Sequence, residues 1–295
     1  MTDAMILTLD LGGQWHRGYG TAPCPICQPD ARKGQNALTL KDGDEGRLLA
    51  HCKRLGCNFR DILVAVGLAP GDYRSPDPAE LARRAAERQA ETTKRARQAE
   101  RLWKEAQPIA GTPAETYLRE ARGITNPLPD TLRCHPACWH GATAKRYPAL
   151  LALVEGGDGF AVHRTYLRPQ GCGKAAIEPD KTMLGTVAGG SVRLCEAQGP
   201  MVVAEGIETA LSLPCALLRA PATIWAALST SGMRGLRLPP DPGRLTIAPD
   251  GDDAGRKAAH ALAERAHGLG WAVSMLPVPD GQDWNDILNG KGNAV

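Results

Sequence analysis

The residues with the most chemistry in them are acids that follow apolar runs. Glu205 ends the run Met201-Val202-Val203-Ala204, and Leu245-Thr246-Ile247-Ala248 leads through Pro249 into Asp250-Gly251-Asp252-Asp253-Ala254-Gly255. Carboxylates gathered in one place suit Mg²⁺, which takes a few of them, keeps several waters and accepts phosphate oxygens from a substrate. Acids so far apart in sequence can meet if each stands at the carboxyl end of a strand in one open parallel sheet, because those ends line a common crevice. Both apolar runs read as buried strands, and both continue into alanine-rich helical patterns. Asp and Gly at a strand end are also ordinary turn chemistry, so either stretch alone says little.

The second chemical group is made of cysteines. The chain holds nine, an odd number, and Cys24, Cys27, Cys52 and Cys57 cluster as a Cys-x-x-Cys pair and a wider Cys-x4-Cys pair. In a reducing compartment such pairs read as metal ligands before disulfides, and their spacing is that of a structural, four-coordinate Zn²⁺ site. His51 stands beside Cys52 and is the alternative fourth ligand. Between the pairs, 37–41 and 47–51 read as two strands around the turn 42–46, which makes a zinc ribbon. A hairpin this small buries too little to fold alone, so the metal supplies much of its folding free energy. Residues 58–67 read as a short amphipathic helix packed on the ribbon, and residues 1–20 as turns.

A breaker cluster at 70–78 marks a boundary. After it, 79–107 is rich in Ala, Arg and Glu with few large apolar residues, which predicts a helix bridging two bodies rather than lying in a core. Residues 116–124 read as a helix stopped at Gly123, and 148–154 and 160–167 as strands. Cys134, His135, Cys138 and His140 lack a second ligand pair at a useful distance, and Pro136 interrupts them, so they do not read as a metal site. The block 171–194 is rich in glycine and regularly basic, which lets backbone approach phosphates and neutralise them. It is not a P-loop, since Ala175 follows Gly173-Lys174, and no motor ATPase or attached helicase is expected.

Glu205-Gly206 followed by Asp250-Gly251-Asp252-x-Ala254-Gly255 resembles the Toprim domain shared by bacterial-type primases, topoisomerases and some nucleases, over about residues 198–290. Asp283, in Gly281-Gln282-Asp283-Trp284-Asn285-Asp286, resembles the acidic stretch that closes such domains. The ribbon is similar to the N-terminal zinc-binding domain of phage and bacterial primases, and the glycine-rich basic block to the subdomain beside their Toprim core. The order of parts is closest to primase-like proteins of phages and mobile elements. The resemblance implies an α/β chain: a zinc-ribbon DNA-binding domain at 1–70, a helical linker at 71–110, an α+β basic subdomain at 111–197 and a Rossmann-like Toprim catalytic domain at 198–295.

It also implies an activity, a DNA primase making short RNA primers by Mg-dependent nucleotidyl transfer. Asp250 and Asp252 would hold Mg²⁺ or Mn²⁺, with Asp253 and Asp283 as further ligands, and Glu205 would order the metals or act as general acid/base. Arg164, Lys181 and Arg193 would contact template or triphosphate. Glu208 stays open between a place in the site and a capping or solvent-facing one, and residues 228–232 between a second wall of the crevice and a simple turn. The partners implied are single-stranded DNA, nucleoside triphosphates and a separate replicative helicase. Two alternatives stand beside this reading: a Toprim nuclease, and a non-catalytic zinc/Toprim DNA-binding repair module. A strand-passing enzyme would need a nucleophilic tyrosine, and the five tyrosines sit in no recognisable context.

Composition bounds the rest. With 295 residues there is length for about two domains. A net charge of +3 permits nucleic-acid binding without demanding it, and aromatics at 4% argue against broad base-stacking platforms. No apolar run approaches the roughly 20 residues of a membrane span, and the N-terminal stretch lacks the basic flank of a signal peptide, so a cytoplasmic protein is expected.

Overall fold

A computed structural model describes residues 3–16, 18–43, 47–68, 77–218 and 220–290. The turn at 44–46 and most of the breaker cluster, 69–76, lie outside the described residues. The chain divides into two units, Met1–Glu91 and Thr92–Val295.

In the first unit, helix α1 (Ala4–Asp10) precedes strands β1 (Gln14–Trp15), β2 (Gly20–Ala22), β3 (Leu38–Asp42) and β4 (Leu48–Cys52), and helix α2 (Phe59–Ala65) follows. The strands form one antiparallel sheet in the order β1-β2-β3-β4. β3 and β4 are the hairpin expected from the sequence, with Leu38 opposite Cys52 and Asp42 opposite Leu48. Helix α1, where only turns were expected, is set by a local cap and by contacts distant in sequence. The Asp3 carboxylate caps it by accepting from the Ile6 amide at 2.7 Å, and Asp42 accepts from the Ala4 amide at 2.9 Å. Ala4 and Leu7 then share a core with Leu38 and Leu40. Helix α2 starts at an Asn58 cap, which accepts from the Arg60 amide, and buries Ile62 in that core.

Helix α3 (Pro78–Glu105) spans the division between the units. Its last turns do enter a core, contrary to the expectation: Ala99 and Trp103 pack with Ala149, Leu151, Val162 and Tyr166. Two well-placed residues suffice for that, and Arg133 stacks on the Trp103 ring at 4.5 Å.

The second unit contains two sheets. In the first, β5 (Gln107–Pro108), β6 (Leu132–His140), β7 (Lys145–Val154), β8 (Ala161–Tyr166) and β9 (Lys181–Gly185) run antiparallel in chain order, with helix α4 (Pro113–Thr116) and a π-helical turn (Tyr117–Ala121) ahead of β6. Strand β6 shifts register between His135 and Cys138, and its two cysteines enter different cores. Both rings of its histidines are bonded nearby, His140 to Thr143 and to the Pro179 carbonyl, His135 to the Ala137 amide.

The second sheet holds β10 (Val192–Cys195), β11 (Met201–Ala204), β12 (Thr223–Ala226), β13 (Arg244–Ala248) and β14 (Ala272–Met275) in the order β10-β12-β11-β13-β14. β10 is antiparallel to β12 and every other pair is parallel. Helices α5 (Ile207–Ser212), α6 (Thr230–Gly235), α7 (Asp253–Gly268) and α8 (Trp284–Leu288) surround it. The central strand β11 is buried at all four positions. Met201 and Val203 meet Ala258, Ala259 and Leu262 of α7 on one face, while Val202 and Ala204 share a core on the other with Ile207, Ala210, Leu150 and Ala152. A strand covered on both sides must be apolar throughout, which is why it reads as an unbroken run. Among the described residues no helix is long and apolar enough to cross a membrane.

Candidate active site and metal centre

The register of the parallel sheet carries the acids to one edge. Ala204 lies opposite Ala248, so Glu205 and Asp250 follow one and two residues beyond the same rung. Asp252 is the cap of α7 and accepts from the Gly255 amide at 2.6 Å. Asp283 caps α8 and forms a reciprocal capping box with Asp286. A glycine is required at 251 because the 279–282 segment passes directly over it. The Gly251 amide donates to the Gln282 carbonyl at 2.8 Å, the Gly281 amide donates to the Gly251 carbonyl at 2.8 Å, and a Cβ at 251 would lie 2.1 Å from the Pro279 oxygen. This close passage delivers Asp283 to the side of Asp250.

The acids sense one another. Burial first, and then the charges of Asp250 and Asp252, push the Glu205 carboxyl up to about 7, although the Thr230 amide donates to it. Burial and then Asp283 push Asp250 up to about 6, opposed by the Thr209 hydroxyl, which stands 3.4 Å away. Like charges crowded in a partly dry crevice favour protonated forms, the condition that a cation relieves. Among the described residues only the four thiols discussed below form a group of three or more ligand atoms all within 4.8 Å of one another. No three of the carboxylates among the described residues bring oxygens all within 4.8 Å of one another.

Of the sequence candidates, Glu205, Asp250, Asp252 and Asp283 converge on this crevice. Asp253 does not: it follows the helix cap, its carboxylate is 83% exposed, and it pairs with Arg256 at 2.9 Å. The segment at 228–232 does wall the crevice, since the Leu228 amide donates to the Glu205 carbonyl at 2.7 Å and Leu228 itself holds a left-handed backbone, φ 72°.

The three basic candidates are separated. Lys181 faces the crevice and bears on both Glu205 and Asp250. Arg164 lies opposite Thr182, one residue out of phase with the pair Thr165 and Lys181, so it occupies the other face of its sheet, over the Tyr166 ring at 5.9 Å. Arg193 stacks on Trp225 at 5.1 Å and stands 4.0 Å from Glu155.

Glu208 neither caps nor faces solvent. It is 6% exposed, accepts from the Tyr117 hydroxyl at 2.7 Å and pairs with Lys181 at 3.3 Å. Burial acts against its charge, yet Lys181, Lys174 and Tyr117 hold its carboxyl well below the usual carboxylate range. Nearby, the enclosed imidazole of His163 is brought down to about 4, chiefly by burial. Sequence reading missed this group because Tyr117, His163 and Glu208 come from elements distant in the chain. The one local signal is a charged residue inside a six-residue helix that is otherwise apolar or small.

In the first unit, the sulfurs of Cys24, Cys27, Cys52 and Cys57 lie within 4.8 Å of one another, with Cys27 and Cys52 at 3.6 Å. Desolvation raises the Cys52 thiol, but the amides of Leu55, Cys57 and Arg54 donate to it and bring it down to about 6. Burial and the neighbouring thiols push Cys27 up to about 12. A thiol lowered in this way, grouped with three other sulfurs, is suited to bind a cation as thiolate. His51 stands outside the group: in β4 it alternates with Cys52 and points to the exposed side. The four-cysteine cluster fits a structural metal ion.

Family models match the second unit. A domain of unknown function, DUF7146, matches residues 93–194, and the Toprim domain family matches residues 200–294. No curated protein matches the sequence. Among solved structures, the zinc-binding and RNA polymerase domains of the Aquifex aeolicus primase are similar at 12% identity and a TM-score of 0.41, over 99% of this chain and 83% of that one. The primase fragment of the bacteriophage T7 primase-helicase protein is similar at 12% identity and a TM-score of 0.37, over 95% of this chain and 96% of that one. With its parallel sheet, its acids at the carboxyl ends of β11 and β13, and this family match, the C-terminal part of the chain is a Toprim domain.

Proposed function

We propose that the protein is a primase-type nucleotidyltransferase that makes short RNA primers on single-stranded DNA. The observation that carries the reading is the convergence of Glu205, Asp250, Asp252 and Asp283 on one crevice with Lys181 facing them from the neighbouring sheet. In this reading the crevice holds Mg²⁺ or Mn²⁺ between Asp250, Asp252 and Asp283, the four cysteines hold Zn²⁺, and residues 1–70, 71–110, 111–197 and 198–295 act as template-binding head, linker, basic subdomain and catalytic domain.

When bound, the divalent ion would supply Lewis acidity toward the α-phosphate and the attacking hydroxyl. The chain's own groups do the remainder. A carboxyl brought near neutrality suits Glu205 to take the proton of a primer 3′-hydroxyl and return it to water. Thr230 and Leu228 fix Glu205 through its carboxylate and its carbonyl, so the acceptor oxygen is held in place before substrate arrives. Lys181 sets a positive charge where negative charge gathers on the phosphates.

The test is primer synthesis on single-stranded templates of varied sequence with labelled nucleoside triphosphates and Mg²⁺ or Mn²⁺. The wild type should yield short RNA products, and Asp250→Ala/Asp252→Ala should lower the yield about 100-fold or more. Metal-dependent cutting of the template without products would replace this reading with a nuclease, and DNA binding alone would replace it with a binding module.

A further inference from the structure

Behind Lys181 lies a polar network to which the roles above assign no part. Its centre is the Glu208 carboxylate, buried in the first turn of α5. One oxygen accepts from the Tyr117 hydroxyl at 2.7 Å, and the other stands 3.3 Å from the Lys181 ammonium. Tyr117 in turn accepts from Arg122 at 2.9 Å, and Arg122 reaches the Asn285 side chain at 3.5 Å. Asn285 is buried, donates to Ser212 at 2.9 Å, and lies two residues past Asp283 in α8. The network therefore joins the strand that carries Lys181 to the helix that carries Asp283.

Lys181 has a second charged neighbour. Lys174 approaches from the preceding loop, paired with Asp180 at 3.0 Å, and repels it. An unpaired ammonium in that position would swing toward solvent. Glu208 stands 3.3 Å from that ammonium, while the Lys181 side chain as a whole stays 36% exposed. A buried acid that serves only packing would be a costly choice, since a neutral side chain of equal volume carries no desolvation penalty.

We propose that Glu208 is a positioning residue: its enclosed carboxylate anchors the Lys181 ammonium at the crevice, where that ammonium meets the phosphates of an incoming nucleoside triphosphate. The assignment rests on the polymerase reading of the crevice for the ligand, and on geometry alone for the anchoring. Glu208 touches no substrate and acts through Lys181.

Two measurements test it. In primer synthesis, Lys181→Met should lower kcat/KM for nucleoside triphosphate about 30-fold, and Glu208→Gln about 10-fold, mostly through KM. Because the two residues act as one unit, the double variant should be no worse than Lys181→Met alone. Separately, in protein whose lysines carry ¹³C-methyl groups, the Lys181 signal, assigned by its loss in Lys181→Arg, should be dispersed in the wild type and should move to the position of exposed lysines in Glu208→Gln. Should Glu208→Gln fail to fold, Glu208→Asp is read the same way, with a smaller displacement. Effects that multiply in the double variant, or a Lys181 signal unmoved by loss of Glu208, overturn the proposal. A wild type that makes no primer refutes the polymerase reading, while the lysine signal still decides the anchoring.

Discussion

Asp250→Asn should make the metal-free protein more stable, with an advantage that develops between about pH 4 and 6 and is full above that window. Asp250 is raised from 3.8 to about 6 by burial and by Asp283. A shift of roughly two units corresponds to ~3 kcal/mol between its protonated and ionised forms. The crevice is open to water on one side, so screening cuts this to about 1–1.5 kcal/mol. The sign follows from proton counting. Between pH 4 and 6 the native state binds a proton that the unfolded chain has released, so stability falls as pH rises through that window and stays low above it. Glu205, raised to about 7, extends the loss to neutrality. At pH 8 the Asn variant, which carries no charge to bury, should melt about 2–6 °C above the wild type for a unit of this size. Near pH 4 the difference should vanish. Calorimetry in magnesium-free buffer at both pH values measures it, and added Mg²⁺ should raise the wild type at pH 8 more than the variant. An Asn variant no more stable than wild type at pH 8, or an advantage equal at both pH values, would refute the idea that the acids repel one another across the crevice.

Two further perturbations probe the parts that hold the site. Gly251→Ala places a methyl group 2.1 Å from the Pro279 oxygen, and displacing the 279–282 segment should cost about 2–3 kcal/mol by thermal unfolding and loosen Asp283 from Asp250; a neutral substitution would mean that the segment yields freely. Cys52→Ala, or exhaustive chelation, should abolish metal binding by the four-cysteine cluster and unfold the first unit, seen as loss of the amide dispersion of β3 and β4 by NMR, because its small core cannot offset chain entropy alone; His51→Ala should leave metal content unchanged.

How much of this was legible in the chain differs from part to part. The strands at 201–204 and 244–248 stand out because a central parallel strand is covered on both faces, which forces an unbroken apolar run, and the acids that follow are placed by register alone. The paired cysteines are legible for a similar reason, since metal ligation demands short fixed spacings. Helix α1 carries a local signal, the Asp3 cap, but the groups that bury and hold it, Asp42 and the Leu38 side chain, lie more than thirty residues away.

What amino-acid order determined by itself, then, is the set of acids at strand ends, the four thiols and the Toprim pattern, all features written within a few residues of one another. Tertiary structure decided which charges act together. Period-two alternation put Arg164 and Lys181 on opposite faces of one sheet, and helix α7 turned Asp253 outward to Arg256. Packing then drew Tyr117, Lys181 and Glu208 into one enclosed network. Burial and proximity set the worth of a charge, and both come into being only when distant segments pack.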